Sequence, residues 1–167
     1  MDNQAISLRP TQPEDRGFCL HLFSLVKTEE LQAWQWEEPI RATLMEMQFA
    51  AHEQHFRRGQ DQISDSIILL AQNTASPTEG GQKIGRLIIF RGKELHLADI
   101  SLLPVFRNQG FGGHLLGALQ EEATREGLPL RLNCNPNNPA LRLYLRQGFE
   151  VIEPGEAHSL LEWRPGQ

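Results

Sequence analysis

Three glycines, Gly110, Gly112 and Gly113, stand where an apolar run ends and a helical pattern begins, in "LLPVFRNQGFGGHLLGALQEEA" (102–123). Glycine costs about 0.5–1 kcal/mol relative to alanine inside a helix, so bare backbone at this junction needs a reason. The first turn of a helix presents unpaired amides, and its aligned peptide dipoles leave about half a positive charge there. "GFGG" has no polar capping side chain, and Arg107 adds a cation just before it. That combination suits an anion, with the absent Cβ atoms letting a phosphate reach the backbone. A tight strand-to-helix turn with nothing bound accounts for the glycines equally well. Two other phosphate motifs do not fit the spacing. A dinucleotide fingerprint from Gly110 needs glycine where Leu115 stands, and a P-loop from Gly112 needs lysine where Ala118 stands.

The remaining reactive residue types are sparse. His52 and His55 have the i, i+3 spacing of metal ligands on a helix, but no third ligand accompanies them, so a solvated face is expected and no metal. Cys19 and Cys134 form no CxxC. Lys and Arg number 16 against 21 Asp and Glu, a net charge of −5, and they are scattered, which argues against a nucleic-acid grip. The opening "MDNQAISLRP" is polar and acidic where a signal peptide needs an apolar segment. The longest aliphatic run, "IILLA" (67–71), is far too short to span a bilayer. A cytoplasmic chain with reduced cysteines and no membrane contact is the expectation.

The elements that must carry these residues can be read from local signals. "AISLRP" (5–10) reads as a strand, and Thr11 with Glu14 has capping-box spacing, opening a helix to about Lys27. "TEELQAWQWEE" fits either helix or a packed loop. Pro39 starts a second helix in which Ile40, Leu44, Met47 and Ala51 fall at helical spacing, ending near Gly59. Strands at 64–72 and 83–91 flank the turn-rich "NTASPTEGGQ", and "RGKE" turns into a third strand, 95–104. A helix from Phe111 to Glu126, closed by Gly127, carries Leu115, Leu116, Leu119 and Ala123 toward a core. "LPLRLNC" (128–134) is a strand, "NPALRLYLRQ" (138–147) a helix capped by Asn138 with Pro139 first, and "GFEVIE" and "HSLLEW" are closing strands. At 167 residues this is one domain of mixed α/β class around one central sheet.

In that order of elements, "RNQGFG" (107–112) after "ISLLP" resembles the Arg/Gln-x-x-Gly-x-Gly/Ala signature of the GNAT superfamily of N-acetyltransferases. "NPNNPALRLYLRQGFE" (135–150) is similar to that family's Asn-x-x-Ala…Tyr…Gly-Phe ending. The two cover about 97–150, and residues 1–60 carry no matching motif. The resemblance implies a single, mostly antiparallel twisted sheet splayed in a V, flanked by about four helices. It assigns 1–60 to acceptor-side helices, 61–104 to the strand meander, 105–150 to the cofactor-binding core and 151–167 to closing strands. It also implies acetyl-CoA as cofactor and an amine as acceptor, and a homodimer is compatible with it.

Carried over residue by residue, the resemblance places the backbone amides of Gln109, Gly110, Phe111, Gly112, Gly113 and His114 on the pyrophosphate, with Arg107 beside them. Leu102 and Leu103 would offer main-chain bonds to the pantetheine arm, or else pair as ordinary strand. Asn137 would reach the cofactor's amide portion, and Ala140 would leave room for it beside Tyr144, one helical turn on. Tyr144 is the candidate for assisting thiolate departure; a core tyrosine is the alternative. With reference values of about 10 for tyrosine and 8.5 for a thiol, full proton transfer is uphill by roughly 2 kcal/mol, so hydrogen bonding to sulfur is the expected contribution. The acceptor must lose a proton, at about 4.6 kcal/mol for a lysine-like amine and about 1.4 for an α-amine at pH 7. Asp99, within an apolar strand, is the candidate base if burial raises its pKa; otherwise it anchors the ammonium or bonds a neighbouring loop. His96 and Asn133 are secondary candidates. Cys134 reads as a small buried residue, since direct transfer needs no acyl-enzyme. Trp34, Trp36, Gln48 and His52 could line an acceptor pocket, or the tryptophans could form a packed clasp. The alternative to an enzyme is a sensor or partner protein that binds CoA without turnover.

Overall fold

The computed structural model describes residues 5–58, 62–72 and 80–166. The expected stop near Gly59, the opening residues 1–4 and the turn-rich 73–79 lie outside the described residues. Along the chain run β1 (Ile6–Pro10), α1 (Arg16–Leu31), α2 (Glu38–Arg57), β2 (Ile63–Leu70), β3 (Gln82–Arg91), β4 (Leu95–Leu102), α3 (Phe111–Glu126), β5 (Leu130–Cys134), α4 (Leu141–Arg146), β6 (Glu150–Glu153) and β7 (Ser159–Trp163). Short 3-10 turns stand at Pro13–Asp15, Ala33–Gln35 and Pro104–Phe106. The strands form one mostly antiparallel seven-stranded sheet in the order β1-β2-β3-β4-β5-β7-β6. Mixed α/β class, sheet type and helix number agree with the sequence expectation.

The chain divides into two compact units, Met1–Arg86 with Ser101–Pro104, and Leu87–Ile100 with Val105–Gln167. In the first, Cys19, Phe49, Ile67 and Leu69 are buried together, with Phe18, Leu20 and Phe23 against them. β1 lies antiparallel to β2 from Ile6 opposite Leu70 to Pro10 opposite Ser66. In the second, α3 buries Phe111, Leu115, Leu116, Leu119 and Ala123, and β5 buries Leu130, Leu132 and Cys134. β4 and β5 run parallel, but their pairing covers only Leu95–Leu97 with Leu130–Leu132. Both strands continue past that register, β4 to Leu102 and β5 to Cys134.

Three local expectations change. The capping box sits one residue later than expected: the Gln12 N–H donates to Asp15 Oδ2 (2.8 Å), while Thr11 Oγ1 donates to Asp65 Oδ1 (2.8 Å). α1 runs past Lys27 to Leu31 because nothing breaks it before Gln32, which takes a left-handed conformation at φ 51°. The following Ala33, fully buried, anchors a 3-10 turn that leaves Trp34 and Trp36 outside. On α2 the residues that enter the core are Met45 and Phe49, not Ile40 and Met47, which are 60% and 66% exposed.

Candidate active site

α3 begins where the sequence places it. Gly110 precedes its first residue at φ 88°, a conformation that disfavours any side chain, and Gly127 ends it at φ 65°. The first intrahelical bond runs from the His114 N–H to the Gly110 carbonyl at 3.0 Å, and no side chain caps the turn before it. The amides of that turn therefore have no partner from the helix itself. A Cβ at Gly110 would meet nothing within 4 Å. Gly112 and Gly113 have a second reason to be glycine, because their Cβ atoms would meet Leu143 Cδ2 at 3.0 Å and Gln147 Nε2 at 3.1 Å. The sequence junction is thus both a donor cradle and the place where α3 and α4 approach closely. A diphosphate, an acceptor-only group, fits such a donor set.

The flanking candidates are distributed as follows. Gln109 is exposed and its Nε2 donates to the Val105 carbonyl at 2.6 Å. Arg107 is half-buried and His114 exposed. In the first unit the Leu103 N–H donates to the Ile84 carbonyl at 2.8 Å. A bond from Leu103 to the pantetheine arm would therefore have to use its carbonyl. Leu102 ends β4, with its side chain beside Gly85. Asn137 is exposed and its N–H is taken by Asn135 Oδ1 at 2.8 Å. α4 starts at Leu141 with Ala140 at its cap and no side-chain cap, two residues later than expected; Asn138 Oδ1 instead accepts from the Ala140 N–H at 2.9 Å in the turn before the helix.

Tyr144 lies one turn beyond Ala140, joined by its N–H to the Ala140 carbonyl at 3.1 Å. The residue is 7% exposed, with its ring edge-on to Phe149 at 5.9 Å. Burial pushes its hydroxyl well above the usual range, and the nearby Cys134 and Asp99 push the same way. At neutral pH it is therefore a protonated donor. The register of β4 and β5 explains the company. Leu95 faces Leu130 and Leu97 faces Leu132, so alternation puts Asp99 and Cys134 on the same face, just beyond the last pair. Cys134 is buried, its thiol is raised by burial, and its Sγ donates to the Asn135 carbonyl at 3.3 Å. It is not activated as a nucleophile. The secondary candidates also meet: His96 Nε2 and Asn133 Nδ2 are 3.4 Å apart, with His96 Nδ1 3.6 Å from Glu94 Oε1.

The acceptor-side candidates Trp34, Trp36, Gln48 and His52 all lie in the first unit. Trp34 is 56% and Trp36 40% exposed. Gln48 is half-buried on α2. His52 packs between Phe23 (5.2 Å) and Phe56 (4.7 Å), and among the described residues its buried Nδ1 has no hydrogen-bond partner, the Glu53 Oε1 lying 3.6 Å away. His55 stacks edge-on to Phe56 at 5.2 Å. Among the described residues no group of three or more His, Cys, Asp or Glu is arranged to hold a metal ion. None of their helices is long and apolar enough to cross a membrane.

Sequence reasoning missed Arg86. This β3 residue is 4% exposed and clamps Glu53 of α2 (2.6 and 3.2 Å) and Asp65 of β2 (2.9 and 2.6 Å). The signal was a cation inside the apolar run "KIGRLIIFR", which requires buried partners.

Solved structures with this architecture include N-acetyltransferases. The PaiA N-acetyltransferase from Thermoplasma acidophilum, in complex with coenzyme A, is 16% identical with a TM-score of 0.68, over 96% of this chain and 99% of that one. An acetyltransferase from Thermus thermophilus is 16% identical with a TM-score of 0.67, over 98% and 99%. The ribosomal-protein-S18-alanine N-acetyltransferase from Escherichia coli is 18% identical with a TM-score of 0.59, over 98% and 96%. The fold is therefore that of the acyl-CoA N-acyltransferases. No curated protein sequence matches the chain. Residues 28–149 match the Acetyltransferase (GNAT) family, and the chain belongs to it. The family's acyl donor is acetyl-CoA.

Proposed function

We propose that this protein transfers an acetyl group directly from acetyl-CoA to a primary amine of a small molecule or polypeptide. The observation that carries the reading is the grouping of Tyr144, Asp99 and Cys134 at the open end of the β4–β5 pair, on the same unit as the uncapped α3 amides. Acetyl-CoA supplies an acyl thioester. The amides from Gly110 to His114, with Arg107, hold the diphosphate. Tyr144, kept protonated by burial, donates a hydrogen bond to the sulfur as it departs. Asp99 holds the incoming ammonium or takes its proton. Trp34, Trp36, Gln48 and His52 are the acceptor-side candidates of the first unit.

The test is thiol release with acetyl-CoA and a panel of peptides, polyamines, amino acids and aminoglycosides, with acetylated product identified by mass. Tyr144→Phe keeps the ring and its contact with Phe149, so kcat should fall about 100-fold while CoA affinity stays within about twofold. An unchanged kcat removes the assigned role. Tight CoA binding with no product from any amine would make the protein a CoA-binding module instead.

A further inference from the structure

Helix α2 carries two apolar stripes, and among the described residues only one is buried. Met45 and Phe49 are buried, with Gln48, His52 and Phe56 half-buried on the same side. Ile40, Leu44, Met47 and Ala51 follow one another at the alternating spacing of a coiled-coil seam. Helical geometry puts these four within about 60° of one another, and about 130° from the buried stripe. Ile40 and Met47 are 60% and 66% exposed, Ala51 is exposed and Leu44 half-buried. Single exposed apolar residues are ordinary on a surface; a seam of four over twelve residues is not. α1 does not cover it, since Glu46, which pairs with Arg16 of α1, projects from the other flank of the helix.

We propose that this seam joins two copies of the chain through an antiparallel pair of α2 helices on a two-fold axis. Charge selects the orientation. The helix opens at Glu37 and Glu38 and closes with His55 and Arg57. A parallel pair would set acid against acid, base against base and dipole alongside dipole; the antiparallel pair sets each acidic end against a basic one. Its layers place Ile40 against Ala51 of the second copy and Leu44 against Met47 of the second copy, and the two-fold repeats both. From Ile40 to Ala51 the seam rises about 17 Å. That is small for a stable interface, so a concentration-dependent dimer is expected.

Sedimentation of the full chain from about 5 to 500 µM should show monomer passing to dimer. Met47→Glu, at an exposed position, should raise the dissociation constant at least tenfold with an unchanged far-ultraviolet spectrum. The double variant Ile40→Cys with Ala51→Cys should cross-link between copies on mild oxidation, and neither single variant should. The native Cys19 and Cys134 are buried and stay out of the reaction. A monomer throughout the range overturns the proposal. So does a dimer indifferent to Met47→Glu, or a single-cysteine variant that cross-links as readily as the double.

Discussion

Arg86→Met should be among the most destabilising single changes in the chain, and its cost should depend on pH. The guanidinium, 4% exposed, holds Glu53 and Asp65 through four bonds of 2.6–3.2 Å. Removing one partner of a buried pair typically costs about 3–5 kcal/mol, because the other charge is left uncompensated. Here the Glu53 and Asp65 side chains keep 22% and 32% of their surface in water, so about 3 kcal/mol is expected at pH 7.5. That corresponds to a melting temperature lower by roughly 6–12 °C for a chain of this size. Burial alone would raise Glu53, but the hydrogen bonds from Arg86 and the nearby His52, whose Nδ1 lies 3.6 Å from Glu53 Oε1, outweigh it and hold the carboxyl at about 2 instead of 4.5. In the wild type this depressed value contributes about 2 kcal/mol after allowing for partial hydration. The contribution is present above about 4.5 and is lost as pH falls toward 2. Without Arg86, the buried Glu53 binds its proton more tightly than the unfolded chain does. Acidification then stabilises the variant relative to its own unfolded state while it destabilises the wild type, and the gap closes. Urea unfolding followed by circular dichroism at pH 7.5 and 4.5 measures both values. Adding Glu53→Gln and Asp65→Asn to Arg86→Met should recover at least half of the loss. A cost below about 1 kcal/mol, or one equal at the two pH values, refutes the reasoning.

Gly110→Ala should cost about 1–2 kcal/mol through backbone strain alone, since φ is 88° and the added Cβ meets nothing within 4 Å; thermal unfolding reads the cost, and calorimetry should show weaker CoA binding. Gly112→Val should act differently, driving Leu143 and with it α4 away from α3. It should lower kcat as well as CoA affinity, by at least tenfold each, in steady-state assays. Asp15→Ala removes a 1% exposed carboxylate that accepts from Arg9, Lys83 and the Gln12 N–H; about 2 kcal/mol should be lost in denaturant unfolding, moderated because both cations are partly exposed. Burial pushes the Cys19 thiol up to about 11 and raises Cys134. Ellman's reagent at pH 8 should therefore label the native protein at least 100-fold more slowly than free thiol, and both cysteines only after denaturation.

What the sequence made legible is what local chemistry alone decides. The bounds of α3 came out to the residue, because Gly110 and Gly127 occupy left-handed positions that stop a helix whatever packs around it. The grouping of Tyr144 with Ala140 needed only helical spacing. The face of α2 was not legible in the same way. Ile40, Leu44, Met47 and Ala51 form as regular a stripe as Met45, Phe49, His52 and Phe56, and a period of 3.6 cannot rank two stripes on one helix. The ranking came from elsewhere. Phe49 meets Phe23 at 5.5 Å, and Glu53, on the flank of the same stripe, reaches Arg86 at 2.6 Å, so an ion pair formed across 33 residues turns the helix. The consequence reaches beyond this one element. A cation such as Arg86, interrupting a strand that is otherwise apolar, marks a place where a distant carboxylate must arrive. The helix delivering that carboxylate has its rotation fixed by the pair, and any second apolar stripe it carries is turned outward, where only another surface can cover it.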